Sequence, residues 1–547
     1  MTFASSKDES LHSGQGGSSS RRLRIALLLP LSFEAPLVGE GIWRVIKELL
    51  VAHARQRDRY GIELIPVGAE WVREEYEREL RNALGEGYVI PEGYFPPVQL
   101  LVVKALWGLY KDQLRKRARR QQRRWVSAIR RNTVRSALAR VHRRNVTALM
   151  AGMIIPVVGA YYALKFWLAD RERKPTKLVR WLLSRANAAL VESEICSVIY
   201  EAQRKHRPDL WWVPYPSAMG LVAVPGKPVM HVYDLVYADY PKDQALWLIA
   251  QTRLDFKLSL QRAAHVVTHS RHVSNNVAVP LLEVPPEKIS VIPHASPNLR
   301  PHVTDKTTGK LLGRHALALI IRHYIEQKST NWPVVDEFSE EIILPRLRAF
   351  PFETAQYVLM STQNRSYKNT IIVLKALRVL NQHRSRKVFL ALTGQVRMAD
   401  KSDPLARYAI AHNLVQYLLP LPRVPDSVLA ALYAGAAMAI HPSFYEGGVG
   451  AFPFYEGMSV DCPVLVSDNA SMREALETEP GYSDFLFNPH NTGQLIRMME
   501  SVLDKRDAWV DKARPVYQRV SQRSWNDLLD EYVRLFESVF ESDRGRS

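Results

Sequence analysis

Cysteine is almost absent from this sequence: 547 residues contain two, Cys196 and Cys462. That excludes a disulfide framework and any zinc site built on several thiolates, and it fits a reducing compartment. Both cysteines read as small buried apolar residues. No group of His, Asp and Glu shows metal-ligand spacing. No apolar stretch of signal-peptide type opens the chain; residues 1–21 are polar and rich in Ser and Gly and read as a disordered tail. Acid is in deficit, with 55 Asp+Glu against 74 Lys+Arg and a net charge of +19. Hydrophobic residues make up 47% of the chain, which excludes wholesale disorder. The length exceeds one ordinary core, so two or three domains are expected.

The excess charge asks for an anionic partner, and it is concentrated. Between Lys111 and Asn145 there are 14 Lys/Arg and one acid, Asp112, so this window carries +13 of the +19. Trp125, Ile129, Val134, Leu138 and Val141 recur through it at spacings of three to five, as on an amphipathic basic helix. Apolar segments flank the window, Val98–Tyr110 before it and the charge-free Asn145–Leu164 after it. The second is long enough to span a bilayer, but Gly152, Pro156 and Gly159 interrupt it. Two crossings would also place the most basic loop outside, against the positive-inside rule. An element lying in the cytoplasmic interface is the expected arrangement, with 98–165 on an anionic membrane surface. The plainer reading is a helical insertion packed on its own domain with its cations solvated.

Around this insertion the chain alternates. Arg24–Leu29 reads as a buried strand, a loop with Gly39 and Gly41 follows, and Ile42–Ala54 reads as a helix; strand, glycine loop, helix opens a nucleotide-binding α/β domain. Further strands are predicted near Ala188–Glu192, Leu210–Val213, Val229–Tyr233, Val266–Thr268 and Ile289–Ile292. A second alternating series starts at Ala355, with strands at Tyr357–Met360, Val388–Thr393, Val415–Leu418, Met438–His441, Val464–Ser467 and Asp484–Phe487, and a last helix from Trp525 to Phe540. Ligands of such folds sit at the carboxyl ends of the strands, here in the cleft between two halves.

Three stretches of the second half carry chemistry. Ser361–Asn369 places Arg365 and Lys368 at a strand-to-helix turn, where cations and helix-end amides together suit a diphosphate. His441–Met458 holds Gly447, Gly448 and Gly450, whose lack of side chains lets backbone approach a ligand, between the carboxylates of Glu446 and Glu456. Cys462–Asn469 with Glu474 would close the pocket.

These stretches resemble the retaining, GT-B-fold glycosyltransferases of family 4, or group 1. The family pattern PSxxEGFGLPxLEAMAxGxPVxxSxxxxxxE is met here by PSFYEGGVGAFPFYEGMSVDCPVLVSDNASMRE. Gly394, Val424–Tyr433, Asn488-Pro489, Tyr233-Asp234-Leu235, Thr268-His269-Ser270 and Val291–His294 also match. The resemblance implies that Arg365 and Lys368 neutralise the diphosphate leaving group and that Glu446 contacts the transferred sugar. It implies that Glu456 holds ribose hydroxyls, and that Asn369, Gly447, Gly448 and Gly450, with Gly39 and Gly41, line the donor. His231, Tyr233 and Asp234 are candidate sugar or acceptor contacts. No metal or other cofactor is implied; the nucleotide-diphosphate sugar is a substrate. Departures are visible too. Nine residues separate Glu446 from Glu456, two more than is usual. Tyr233 replaces a His, and Asp461 and Ala295 each replace a Gly.

The expected fold is α/β, a GT-B pair of Rossmann-like domains facing across a cleft, with a helical basic and apolar membrane-associating insertion in the N-terminal domain. The expected divisions are 22–298 as the acceptor domain, with 88–185 inserted, 299–350 as an inter-domain insertion, 351–524 as the nucleotide-sugar domain, and 525–547 as a helix packing back on the first. The expected activity is retaining, metal-independent sugar transfer from a nucleotide-diphosphate sugar to a lipid-linked glycan acceptor. It would take place on the inner face of a bacterial cell membrane during surface-polysaccharide or glycolipid synthesis. GDP-mannose is the favoured donor, ahead of UDP-sugars and dTDP-rhamnose. Two other readings stand beside it: a nucleic-acid-binding protein using Lys111–Arg144, against which the flanking apolar segments argue, and a non-catalytic binder of sugar nucleotides.

Overall fold

The computed structural model describes residues 22–29, 41–68, 70–85, 88–95, 198–214, 224–226, 228–236, 246–328, 343–393, 403–479 and 482–544. The window 98–165, most of 88–185, the expected strand at 188–192, the tail, Gly39 and Gly394 lie outside the described residues.

Two six-stranded, all-parallel sheets form the frame. The first has the order β2-β1-β3-β4-β5-β6, from β1 (Leu23–Leu28), β2 (Ile62–Val67), β3 (Leu210–Val213), β4 (Val229–Val232), β5 (His265–Thr268) and β6 (Ile289–Val291). The second has the order β12-β11-β10-β7-β8-β9, from β7 (Tyr357–Met360), β8 (Phe389–Leu392), β9 (Leu418–Pro420), β10 (Met438–His441), β11 (Val464–Ser467) and β12 (Leu486–Phe487). Central strands such as LWWV and VMHV are buried along their whole length, which is why they read as unbroken apolar runs. Strand β2 is absent from the sequence reading. Its sequence, IELIPV, carries Pro66 inside the run, and it occupies the sheet edge, where a missing N–H is tolerated.

Helices cover both faces. In Gly41–Arg55, Trp43, Val45, Ile46, Leu49, Leu50 and Ala52 are buried, a stripe of helical period turned to the first sheet. The helix Trp525–Arg544 follows the second sheet in sequence yet belongs to the first core. Its Leu528, Leu529, Tyr532, Val533, Phe536 and Val539 join Trp212, Leu49 and Val229 there. Ser524 caps it: Asp527 accepts from the Ser524 amide at 2.9 Å, and the Ser524 hydroxyl accepts from the Asp527 amide at 3.2 Å, a reciprocal cap of the kind that fixes helix starts.

The described part of 299–350 is not a detached insertion. Leu299, Val303, Leu317, Ile321, Ile325, Leu347 and Phe350 are buried in the core of the second half, where helix Arg314–Lys328 packs on Asp426–Gly435. Its described residues add helices Arg314–Lys328 and Leu344–Ala349 and none of the sheet strands. Near residue 415 a 3-10 turn, Val415–Tyr417, takes the place of the expected strand start, and β9 begins at Leu418.

Candidate active site

The turn after β7 holds the first group. A 3-10 turn, Ser366–Lys368, leads into Asn369, whose left-handed φ of 52° starts helix Thr370–His383. Asn369 Nδ2 donates to Pro489 O at 2.9 Å and pins the turn. Lys368 Nζ then meets Glu446 Oε1, and His441, at the end of β10, donates from Nε2 to the same oxygen at 2.6 Å. Burial would raise the Glu446 pKa, but Lys368 and His441 outweigh it and hold the carboxyl well below the usual carboxylate range. Glu446 is therefore a fixed anion. Arg365 is exposed at the same turn, close enough for its charge to act on Asp234.

Asp234 follows β4 in the first half and faces this group. Burial, then repulsion from Glu446, pushes its pKa up to about 6, with Lys368, the Val236 amide and Arg365 pulling the other way. Two carboxylates, one from each half, are thus driven apart in acidity, the arrangement that separates roles in a site handling charge.

Glu456 sits deeper, 3% exposed, on helix Phe452–Ser459. Tyr433 donates to its Oε2 at 3.1 Å, and Arg44 of helix Gly41–Arg55 bonds its Oε1 from the opposite half. Arg44 also lies 5.5 Å from the centre of the Phe452 ring. Gly41 begins the same helix, 3.9 Å from Phe452 at its missing Cβ.

The glycine loop approaches protein. A Cβ on Gly447 would stand 2.1 Å from Tyr233 O, and one on Gly448 2.6 Å from the His294 ring. Gly450 has φ +73° and a Cβ there would strike Tyr455. So where open backbone toward a ligand was expected, the side-chain directions of Gly447 and Gly448 are filled by the first half. Ser270 Oγ donates to Gly447 O at 3.0 Å, and the amides of Arg271 and His272 donate to Glu474 at 2.8 and 3.1 Å.

His231 does not face the site. It is fully buried, and Trp212 Nε1 donates to its Nε2 at 2.7 Å. An indole nitrogen only donates, so Nε2 accepts and Nδ1 carries the proton. Its ring stacks on Tyr532 at 5.5 Å. Period-two geometry does put it beside Tyr233, with ring centres 5.3 Å apart, but Tyr532 of helix Trp525–Arg544, the helix expected to pack back on this half, covers the His231 ring. Tyr233 packs on His269 at 4.5 Å, and His269 Nδ1 donates to Ile292 O at 2.8 Å. Arg44 is absent from the sequence reading. His441, Ser270 and His294 stand in it only inside the stretches that match the family, with no role of their own, and those matches were the signal that could have found them. Among the described residues no group of three or more His, Cys, Asp and Glu could hold a metal.

Residues 348–519 match the family described as "Glycosyl transferases group 1". The O-antigen chain mannosyltransferase B of Escherichia coli is 26% identical over 196 residues, 35% of this chain and 49% of that protein. The serotype-specific mannosyltransferase WbdA of E. coli is 23% identical over 197 residues, 35% of this chain and 23% of that one. The chain thus spans about half or less of the length of these curated relatives. Among solved structures, Anabaena Alr3699/HepE in complex with UDP and glucose aligns with TM-score 0.55 at 11% identity, over 94% of this chain and all of that one. The sucrose-phosphate synthase of Thermosynechococcus elongatus aligns with TM-score 0.55 at 12% identity, over 95% and 100%. The fold is that of the GT-B glycosyltransferases.

Proposed function

We propose that this protein is a retaining, metal-independent glycosyltransferase that moves a sugar from a nucleotide-diphosphate sugar to a lipid-linked glycan acceptor. One observation carries the reading. Lys368, His441 and Glu446, all inside the stretch that matches the glycosyltransferase family, meet at the carboxyl ends of β7 and β10, opposite Asp234 at the end of β4. Departure of a diphosphate builds negative charge as the anomeric carbon becomes oxocarbenium-like. Fixed cations at that point, Lys368 and the exposed Arg365, favour the transition state over the ground state. Glu446, held ionised, suits the positive side of the same transition state. Glu456, with Tyr433 and Arg44 on it, is the carboxylate for ribose hydroxyls.

The mannosyltransferase relatives favour GDP-mannose as donor and surface-polysaccharide assembly as setting. The basic window 111–145 between apolar segments favours an acceptor presented at an anionic membrane on its inner face. The test is transfer from a panel of GDP-, UDP- and dTDP-sugars, with nucleotide binding followed by thermal shift. Lys368→Ala or Arg365→Ala is expected to lower turnover by about 10²–10³-fold with the fold intact. Near wild-type turnover of either variant at saturating donor would overturn the assignment. Nucleotide binding without transfer would favour the non-catalytic reading.

A further inference from the structure

The loop that carries Glu446 is shaped by the opposite half of the molecule. Gly447 and Gly448 do not have the positive φ that Gly450 has, so their backbone conformation does not call for glycine. Space does. A Cβ at Gly447 would lie 2.1 Å from Tyr233 O and 2.8 Å from Asp234 Cβ, and one at Gly448 would lie 2.6 Å from His294 Nε2. All three neighbours belong to the first half. Ser270, also of that half, donates its hydroxyl to Gly447 O at 3.0 Å while accepting from Val273 N at 3.1 Å, so its own orientation is fixed. From the second half, Ser471 Oγ donates to Gly448 O at 2.5 Å. The peptide after Glu446 is therefore held from both sides, while the Glu446 carboxylate is held by Lys368 and His441.

We propose that Gly447 and Gly448 are the seat on which the two halves close, and that Ser270 is a positioning residue that sets the Glu446 loop once they have closed. The atoms nearest a Cβ at either glycine belong to the first half, and at Gly448 the next, Gly450 O, is at an ordinary 3.7 Å, so a side chain there blocks the approach of Tyr233 or His294. Closure and placement of the sugar-facing carboxylate are then one event, and an open molecule has its cations in place but its carboxylate loop unseated.

The decisive experiment is a rescue. Gly448→Ala meets only the His294 ring, so His294→Ala in the same chain gives the methyl room; Gly447→Ala meets backbone, and no truncation relieves it. The radius of gyration of each full-length variant is measured by small-angle X-ray scattering, beside circular dichroism for fold and transfer at saturating donor. Gly448→Ala is expected to be larger than wild type and about a hundredfold slower. The Gly448→Ala/His294→Ala pair should return toward wild type in both. Gly447→Ala should stay expanded with or without His294→Ala, and Ser270→Ala should close normally but turn over slowly, with Ser270→Thr recovering. A Gly448→Ala protein of wild-type size, or a pair no more compact than the single variant, overturns the proposal. The transfer arm rests on the proposed function and the scattering arm does not: a wild type that transfers no sugar removes the reaction and leaves the closure result standing.

Discussion

At the scale of single residues, charge state decides most. Asp234 is a carboxyl whose folded pKa, about 6, exceeds its ordinary value. Between the two values the folded protein holds a proton that the unfolded chain has lost, so this group takes stability away as pH rises from about 4 to 6, and the loss is complete above that. Asp234→Asn should therefore raise the melting temperature more at pH 7.5 than at pH 4, and equal effects at both would contradict the assignment. Asp461 is a second case. Its φ is +56°, a conformation that favours glycine, and the related family has glycine there. The side chain is kept in use by Arg300 at 3.3 Å and Arg514 at 3.4 Å, and Arg506 donates to its carbonyl at 3.1 Å. Asp461→Gly exchanges ion pairs for relief of strain and should stay within about 1 kcal/mol of wild type. Asp461→Ala keeps the strain and loses the pairs, so chemical denaturation should rank it below Gly. Of these residues, Lys368 and Glu446 were legible because motif and spacing carry them. Arg44 was not, since a cation on the solvent stripe of an amphipathic helix looks like any other until the opposite half is in place.

At the scale of elements, β7, β10 and β11 match their expected bounds, because a parallel strand buried on both faces reads as a short apolar run between turns. Strand β2 escaped through Pro66, and helix Glu70–Leu84 through its load of charge, with Val72, Tyr76 and Leu80 as its thin buried stripe. The last helix was legible as a helix from its three-and-four spacing. Its return to the first half was expected, but not its partners: Tyr532 and Phe536 pack on Trp212 with ring centres 5.2 and 5.3 Å away. Truncating Phe536 to Ala should cost about 3–5 kcal/mol, and the loss should appear in the unfolding of the first half. Denaturation that leaves that half untouched would show that the helix is not part of its core.

At the scale of the whole molecule, the two sheets carry a site neither could build alone: Lys368, Glu446 and Glu456 come from one, Asp234, Arg44 and Ser270 from the other. A site in the cleft, with Asp234 and Gly41 from the first half, was expected; the contacts across it, Arg44 on Glu456 and Ser270 on Gly447, were not, because motifs report what lies within a half and not what each half faces. Charge divides differently. Most of the excess lies in the 111–145 stretch of the sequence, and Arg365 and Lys368 contribute almost nothing to it. Deleting 98–165 should release the protein from anionic vesicles and leave nucleotide binding in place; unchanged pelleting with membranes would remove the docking role. Among the described residues no helix is long and apolar enough to cross a bilayer.

The placement of helix Trp525–Arg544 in the first core has a consequence for synthesis. A ribosome delivers the first half long before residues 525–544 leave the exit tunnel, so Trp212, Leu49 and Val229 must wait without their cover while the whole second half is made. Folding domain by domain then leaves the first core incomplete until the last helix arrives, while the cores of the second half include none of its residues. A nascent chain stalled short of residue 525 should bind chaperones and be cut readily by protease in its first half.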